Sequence, residues 1–185
     1  MLEALRSDHR AITAMLDHPA ASSASDEART AREQLVMNLV RHFVAEEQYL
    51  YPVVRRYVPD GDALAESGFT RDRSCEHQLR RLEEPDLTTG SISTVWTDIR
   101  AAFAAHVKDQ ESLFSTLATK CSAPQLAELG EGVLGAEQLA PTRPRPVALE
   151  SPSANRVLSL VEGFVDRVRD AYTHRGLLES EDRTD

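Results

Sequence analysis

The stretch RHFVAEEQYLYP, residues 41–52, places two polar side chains on the apolar stripe of a predicted helix. Glu46 lies four residues after His42 and four before Leu50. Residues three and four apart share one face of an α-helix, so both polar side chains take positions that face a core. Pro52 falls within the same predicted helix and should kink it or end its regular part.

Other predicted helices repeat this pattern. His9 lies between Leu5 and Ile12, at spacings of four and three residues, and His106 follows Phe103 by three. Each histidine therefore interrupts an apolar stripe at a position that faces the core. One such histidine is usually a hydrogen-bonded core residue, but their recurrence on separate helices favours a shared role.

The chain also contains a weak internal repeat. The segment from His9 to His42 can be overlaid on the segment from Asp72 to His106, because the two separations are 33 and 34 residues. In this register the second pair of helices offers Asp72, His106 and Gln110 where the first pair offers two histidines and a glutamate. Both halves thus direct polar groups toward the same interior.

Polar groups at these positions need partners. Removing one member of a buried ion pair typically costs about 3–5 kcal/mol. Four-helix bundles place metal sites in their cores, built from side chains on facing helices. Imidazole and carboxylate together suit iron, manganese and zinc, so the pattern predicts a divalent metal site.

The apolar periodicity predicts an all-α protein. Four long helices joined by short turns favour an up-down-up-down four-helix bundle. We assign residues 1–139 to this bundle with a short fifth helix, and residues 140–185 to an extended Pro-rich strap and a C-terminal amphipathic helix. Five of the predicted helices span residues 2–18, 26–58, 92–120, 124–139 and 153–174. The third predicted helix along the chain begins after a turn at residues 59–61 and ends near residue 83.

Composition excludes several classes of protein. The 185 residues carry a formal charge of −9, which disfavours binding to nucleic acid or to an anionic membrane. There is no apolar run of membrane-spanning length and no secretory signal at the first residues, so we expect a cytoplasmic protein. Two cysteines are too few for a disulfide framework or a thiolate metal site.

These residues resemble the hemerythrin-like, HHE cation-binding family. The resemblance rests on five segments and covers essentially the whole chain, including a strap and last helix like those of actinobacterial members. The segments are SDHR around His9, RHFVAEEQYLYP at 41–52, PDGDALA at 59–65, HVKDQESLF at 106–114 and APTRPRP at 140–146.

The resemblance implies two irons inside the bundle, held by histidines from all four helices and bridged by carboxylates. His9, His42, Glu46 and His106 match the ligand positions of the family. The resemblance therefore implies that these four residues bind the metal.

Two positions depart from the family pattern. Asp72 stands where the third helix normally supplies a histidine, unless that helix shifts and His77 binds instead. The fourth helix of the family normally supplies a carboxylate four or five residues after its histidine, and this chain has Gln110 and Glu111 at those positions. Glu111 would need a local π-bulge to reach inward. We expect Asp72 and Glu111 as additional ligands, with Gln110 and His77 as alternatives, around either two irons or one metal.

The predicted function is that of a non-haem iron protein that binds or senses dioxygen, nitric oxide or peroxide. We expect reversible binding of the small ligand, with enzymatic turnover of peroxide as an open alternative. Two other hypotheses are metal storage or sensing without gas chemistry, and a degenerate, metal-free bundle that serves as an interaction or structural module. The last predicted helix either lies along the bundle or forms a homodimer.

Overall fold

Helices make up most of the described chain. The computed structural model describes residues 1–18, 25–84 and 88–144, and no strand occurs within them, so the predicted all-α class is confirmed. In chain order the helices are α1 (Leu2–Leu16), α2 (Asp26–Ala45), a π-helical segment (Glu46–Leu50), α3 (Tyr51–Tyr57), α4 (Gly61–Leu82), α5 (Thr89–Lys120) and α6 (Ala123–Leu139).

Four rods surround a common interior. They are α1, the continuous rod formed by α2, the π-helical segment and α3, then α4, then α5. The first rod packs against α2 and α5, and α4 packs against α3 and α5, which closes the predicted four-helix bundle. The short fifth helix, α6, lies outside this ring against α1 and α2.

Where the sequence predicts a kink or a helix end, the second rod contains a π-helical segment, Glu46–Leu50, that ends two residues before Pro52. The backbone N–H of Tyr51 donates to the carbonyl of Glu46, five residues back. Proline has no N–H, and its ring crowds the preceding turn, so a wider turn accommodates it within a continuing rod. The wider turn also rotates the following residues around the helix axis, which decides where Tyr51 points.

The interior consists of two apolar clusters with polar residues between them. Ile12, Leu39 and Phe103 belong to one cluster, and Leu5 and Phe114 to the other. Along the four rods, six of the buried polar side chains fall between residues of one cluster and residues of the other: His9, His42, Glu46, Asp72, His106 and Gln110. Water is therefore excluded on both sides of the polar layer.

The predicted strap and last helix are only partly covered. Residues 141–144 are not helical, while the rest of the strap and the predicted helix at 153–174 lie outside the described residues. The domain division at residue 139 therefore stays a prediction. Among the described helices, none has both the length and the apolar character needed to cross a bilayer.

The turn between α3 and α4 is very tight. Asp60 has a left-handed backbone with φ 55°, and Gly61 then begins α4. A Cβ atom on Gly61 would overlap the carbonyl oxygen of Val54 in α3. Glycine is thus required here by close backbone approach, and it sets how closely α4 packs on the second rod.

Substitution Gly61→Ala should destabilise the fold by about 1–3 kcal/mol, because the added methyl group forces the backbones apart. The matched control is Gly90→Ala near the start of α5, where an added Cβ meets no atom of the described residues within 4 Å. Alanine has the higher helix propensity, so the control should be neutral or stabilising by up to about 1 kcal/mol. Urea unfolding of both variants measures the difference, and equal stabilities would contradict this packing.

Candidate metal centre

Four buried side chains from three rods converge in the polar layer. One ligand atom from each lies within 4.8 Å of the corresponding atoms of the others. The side chains are at most 6% exposed and belong to α1, α2, the π-helical segment and α5: His9, His42, Glu46 and His106. The structure therefore brings together the four residues that the motif resemblance places at ligand positions of the family.

The Glu46 carboxylate lies at the centre of this cluster. Its Oε1 is 2.9 Å from Nε2 of His42 and 3.3 Å from Nε2 of His106. The two Nε2 atoms are themselves 3.3 Å apart. Two imidazoles and one carboxylate oxygen therefore point at one small volume, which is the arrangement that a shared cation requires.

His9 completes the cluster and provides a test of whether a metal fits. Its ring lies edge-on to His42 and His106, with centroids 4.9 and 5.4 Å away. Among the described residues, neither of its ring nitrogens has a hydrogen-bond partner, although the residue is only 3% exposed. Leaving such a buried polar group unsatisfied costs about 1–3 kcal/mol. A cation among the three imidazoles would supply the missing partner, so the residues present fit a metal ion.

Asp72 of α4 lies beside the cluster, joined to it through Tyr51. The Tyr51 hydroxyl is 3.2 Å from Oε2 of Glu46 and makes a short contact with Oδ2 of Asp72. Gly68 makes this possible, because a Cβ there would lie 2.7 Å from Cε1 of the tyrosine ring. The tyrosine therefore links two carboxylates from neighbouring rods.

The two candidate metal ligands on α5, Gln110 and Glu111, lie in different environments. Gln110 is buried, and its Nε2 donates to Oε1 of Glu46 at 2.6 Å. Glu111 instead pairs with Arg6 of α1 at 2.9 Å, near the surface. Since α5 is regular through these residues, there is no π-bulge to turn Glu111 inward. The structure therefore does not bring Glu111 into the cluster, contrary to expectation.

The alternative third-helix residue also stays outside. His77 is exposed on α4, five residues beyond the buried Asp72. No shift of α4 brings its imidazole inward. Of the two third-helix candidates, only Asp72 reaches the interior.

A second carboxylate contacts the cluster from α1. Asp8 Oδ2 lies 3.4 Å from Nδ1 of His42. On its other side Asp8 is hydrogen bonded to Glu137 of α6. Burial first, and then the neighbouring Asp8, raise the pKa of Glu137 to about 8, so its protonated carboxyl donates to Asp8 near neutral pH. The fifth helix therefore reaches the histidine cluster through one intervening carboxylate.

The pKa values of three groups at the centre depend strongly on one another. Burial and the two neighbouring histidines lower the pKa of His9 to about 3, so it is neutral. Burial also lowers the pKa of His42, but the Glu46 carboxylate and Asp8 outweigh it and raise that pKa to about 10. Burial disfavours ionised Glu46, yet His106 and His42 hold its pKa well below its usual range.

The pKa values of Asp72 and Tyr51, which link α4 to Glu46, are both raised. Burial and the Glu46 charge raise the pKa of Asp72 well above its usual value. Burial, followed by the adjacent carboxylates, likewise raises the pKa of the Tyr51 phenol. The side of the centre nearest α4 therefore resists accumulating negative charge.

Sequence reasoning missed two residues at this site. Tyr51 was indistinguishable from a packing aromatic, since only the π-helical turn directs it toward Asp72. Asp8 is next to a predicted ligand in sequence, yet its contact is with the histidine of another helix. The nearby Pro52 was the available signal for the role of Tyr51. Nothing in the residue spacing pointed to the contact of Asp8.

Comparison with known families agrees with this geometry. The model of the hemerythrin HHE cation-binding domain matches residues 1–118, more than half of the chain. The chain belongs to the hemerythrin family. An uncharacterized hemerythrin-like protein of Schizosaccharomyces pombe is 21% identical over 170 residues, covering 91% of this chain and 84% of that protein. No solved structure matched significantly.

Family membership confirms the resemblance drawn from the sequence motifs. The family is defined by cation binding, and this hemerythrin domain has a buried histidine and glutamate cluster able to hold a metal ion. The ligand role of each residue stays a prediction.

Metal binding near pH 7 should release about one proton per chain, because His42 must lose its proton to coordinate. His9, with a pKa of about 3, and the ionised Glu46 have none to release. The apparent affinity should accordingly tighten by about tenfold per pH unit above pH 7 and level off as pH approaches the His42 pKa of about 10. Zinc titration with a pH indicator measures the release, and binding without proton release would contradict this charge assignment.

Proposed function

We propose that this hemerythrin-family protein binds iron at the His9, His42, Glu46 and His106 cluster and thereby binds or senses dioxygen, nitric oxide or peroxide. The observation that carries the proposal is the convergence of four buried ligand groups within 4.8 Å. Three imidazoles and a carboxylate form a nitrogen and oxygen donor set of the kind found in non-haem iron proteins.

Iron held there would supply an open coordination position for a small ligand. The surrounding side chains determine how that position is shielded. The ring of Phe114 stacks on His9, and the ring of Phe103 stacks on His106. Both phenylalanines are at most 2% exposed, so the donor atoms lie in a dry environment. Such an apolar shell controls solvent access and redox potential.

Small ligands can approach the cluster from the surface. In the described part of the chain, a cleft of about 290 Å³ is lined by Asp72, Phe103 and His106. A second cleft, of about 410 Å³, is lined by His9 together with Arg6 and Glu111. A histidine of the cluster lines each cleft, so we expect these clefts to give a diatomic molecule or peroxide a short path to the interior.

Anaerobic loading with Fe(II) should yield tightly bound iron and a higher melting temperature. A ligand that binds only the native state at 100 times its Kd stabilises by about 2.7 kcal/mol, or roughly 5–10 °C for a chain of this size. His42→Ala should abolish both effects. His77→Ala, which changes an exposed histidine, should retain both. Metal analysis and thermal melts report the outcome.

Exposure of the loaded protein to air, nitric oxide or peroxide should then change its optical spectrum reversibly. Absence of bound iron, with an unchanged melting temperature on loading, would instead support the metal-free bundle. Bound iron without any spectral response to these ligands would support storage or sensing of the metal alone.

A further inference from the structure

The cleft between α4 and α5 is larger than a diatomic molecule or hydrogen peroxide needs. Its volume is about 290 Å³. For comparison, a cavity of about 150 Å³ lined by apolar side chains is enough to hold benzene. The cleft can therefore accept an organic molecule, with room for substituents on an aromatic ring.

The walls of this cleft are mainly apolar. Six of the lining residues are apolar or small and come from α2, α4 and α5: Phe43, Cys75, Ile99, Ala102, Phe103 and Ala105. The two alanines are exposed on α5, and their short side chains leave the outer part of the cleft open. An apolar ligand would gain free energy by leaving water for these walls.

The cysteine on the wall is chemically quiet. Burial raises the pKa of the Cys75 thiol to about 12, so the thiol stays protonated near neutral pH. The thiolate, not the thiol, is the form that attacks peroxides and other electrophiles. Cys75 therefore acts as a small apolar surface, and a peroxide in the cleft would not be consumed there.

Two buried polar residues line the same cleft and belong to the surroundings of the metal centre. Asp72 is 2% exposed, and no group among the described residues forms a hydrogen bond with its Oδ1. Nδ1 of His106 lies 3.6 Å from that oxygen, slightly beyond hydrogen-bond distance. Because a buried polar atom without a partner is unfavourable, Oδ1 of Asp72 is suited to accept a hydrogen bond from a ligand.

The cleft at His9 offers a different surface. Half of its lining residues are charged: Arg6, Arg10, Asp17 and Glu111. All four are in ion pairs, formed between Arg6 and Glu111 and with Glu3 and Arg100. An apolar molecule would have to cover these charges, so the cleft between α4 and α5 is the better match for one.

We propose that the cleft between α4 and α5 binds a small organic molecule with an apolar body and one terminal O–H group, an alcohol or a hydroperoxide. The apolar body contacts Phe43, Ile99 and Phe103, and the O–H group donates to Oδ1 of Asp72. The polar end of the ligand then lies beside His106. This assignment rests on the proposed function, since it gives the metal centre an organic ligand in addition to diatomic molecules and hydrogen peroxide.

Titration of the full, metal-free chain tests the proposal with three compounds that share one apolar body: isopropylbenzene, 2-phenyl-2-propanol and cumene hydroperoxide. Two-dimensional NMR of the backbone amides measures each Kd and locates the ligand. The alcohol and the hydroperoxide should give saturable shifts on α4 and α5. Both should bind about 2- to 10-fold more tightly than isopropylbenzene, because only they can donate a hydrogen bond to Asp72. Whichever of the two binds more tightly identifies the class of the natural ligand.

A matched pair of variants tests the location. Ala102→Phe places a ring at the mouth of the cleft and should abolish saturable binding of the alcohol. Ala104→Phe adds the same ring at another exposed position of α5, outside the lining of this cleft, and should leave the Kd unchanged. Should Ala102→Phe fail to fold, the amide shifts of the wild-type protein still locate the ligand.

Several results would overturn the proposal. Absence of saturable shifts would exclude a binding cleft, and equal affinities for all three compounds would exclude the hydrogen bond to Asp72. Shifts confined to helices other than α4 and α5, or equal effects of the two variants, would place the ligand elsewhere. All of these measurements use the metal-free chain, so iron loading decides the proposed function separately.

Discussion

Oε1 of Glu46 lies within 3.3 Å of ring nitrogens of His42 and His106 and accepts a hydrogen bond from Gln110, in an interior that leaves the glutamate 0% exposed. Burying an ionised carboxylate is unfavourable unless charge or hydrogen bonds compensate it. The neighbouring cationic imidazole provides that compensation in the absence of metal. A bound cation would replace the imidazolium charge in compensating Glu46, so folding and metal binding depend on the same few atoms.

The bundle and most of the centre could be predicted from the sequence because both depend on helical periodicity. A residue three or four positions from two core leucines faces the same interior as they do. That rule located His9, His42, Glu46 and His106 without knowledge of how the rods pack. Family motifs then supplied the purpose of these buried polar groups, which periodicity alone leaves open.

The rest depends on contacts between rods, which periodicity does not describe. A regular α5 turns Gln110 inward and Glu111, about 100° further around the helix, outward, but the pairing of Glu111 with Arg6 depends on where α1 lies. Tyr51 reaches Asp72 only because a π-helical turn precedes it and Gly68 leaves space. Each of these requires the relative position of two rods, so spacing along one helix could not reveal it.

The most direct test of the central claim is X-ray absorption at the zinc edge of the zinc-loaded protein. The account predicts zinc with nearest nitrogen and oxygen neighbours at about 2.0–2.2 Å and outer-shell scattering from imidazoles. A spectrum that shows fewer than two imidazoles, or a sulfur neighbour at about 2.3 Å, would place the metal elsewhere. Either result would contradict a shared cation in the polar layer.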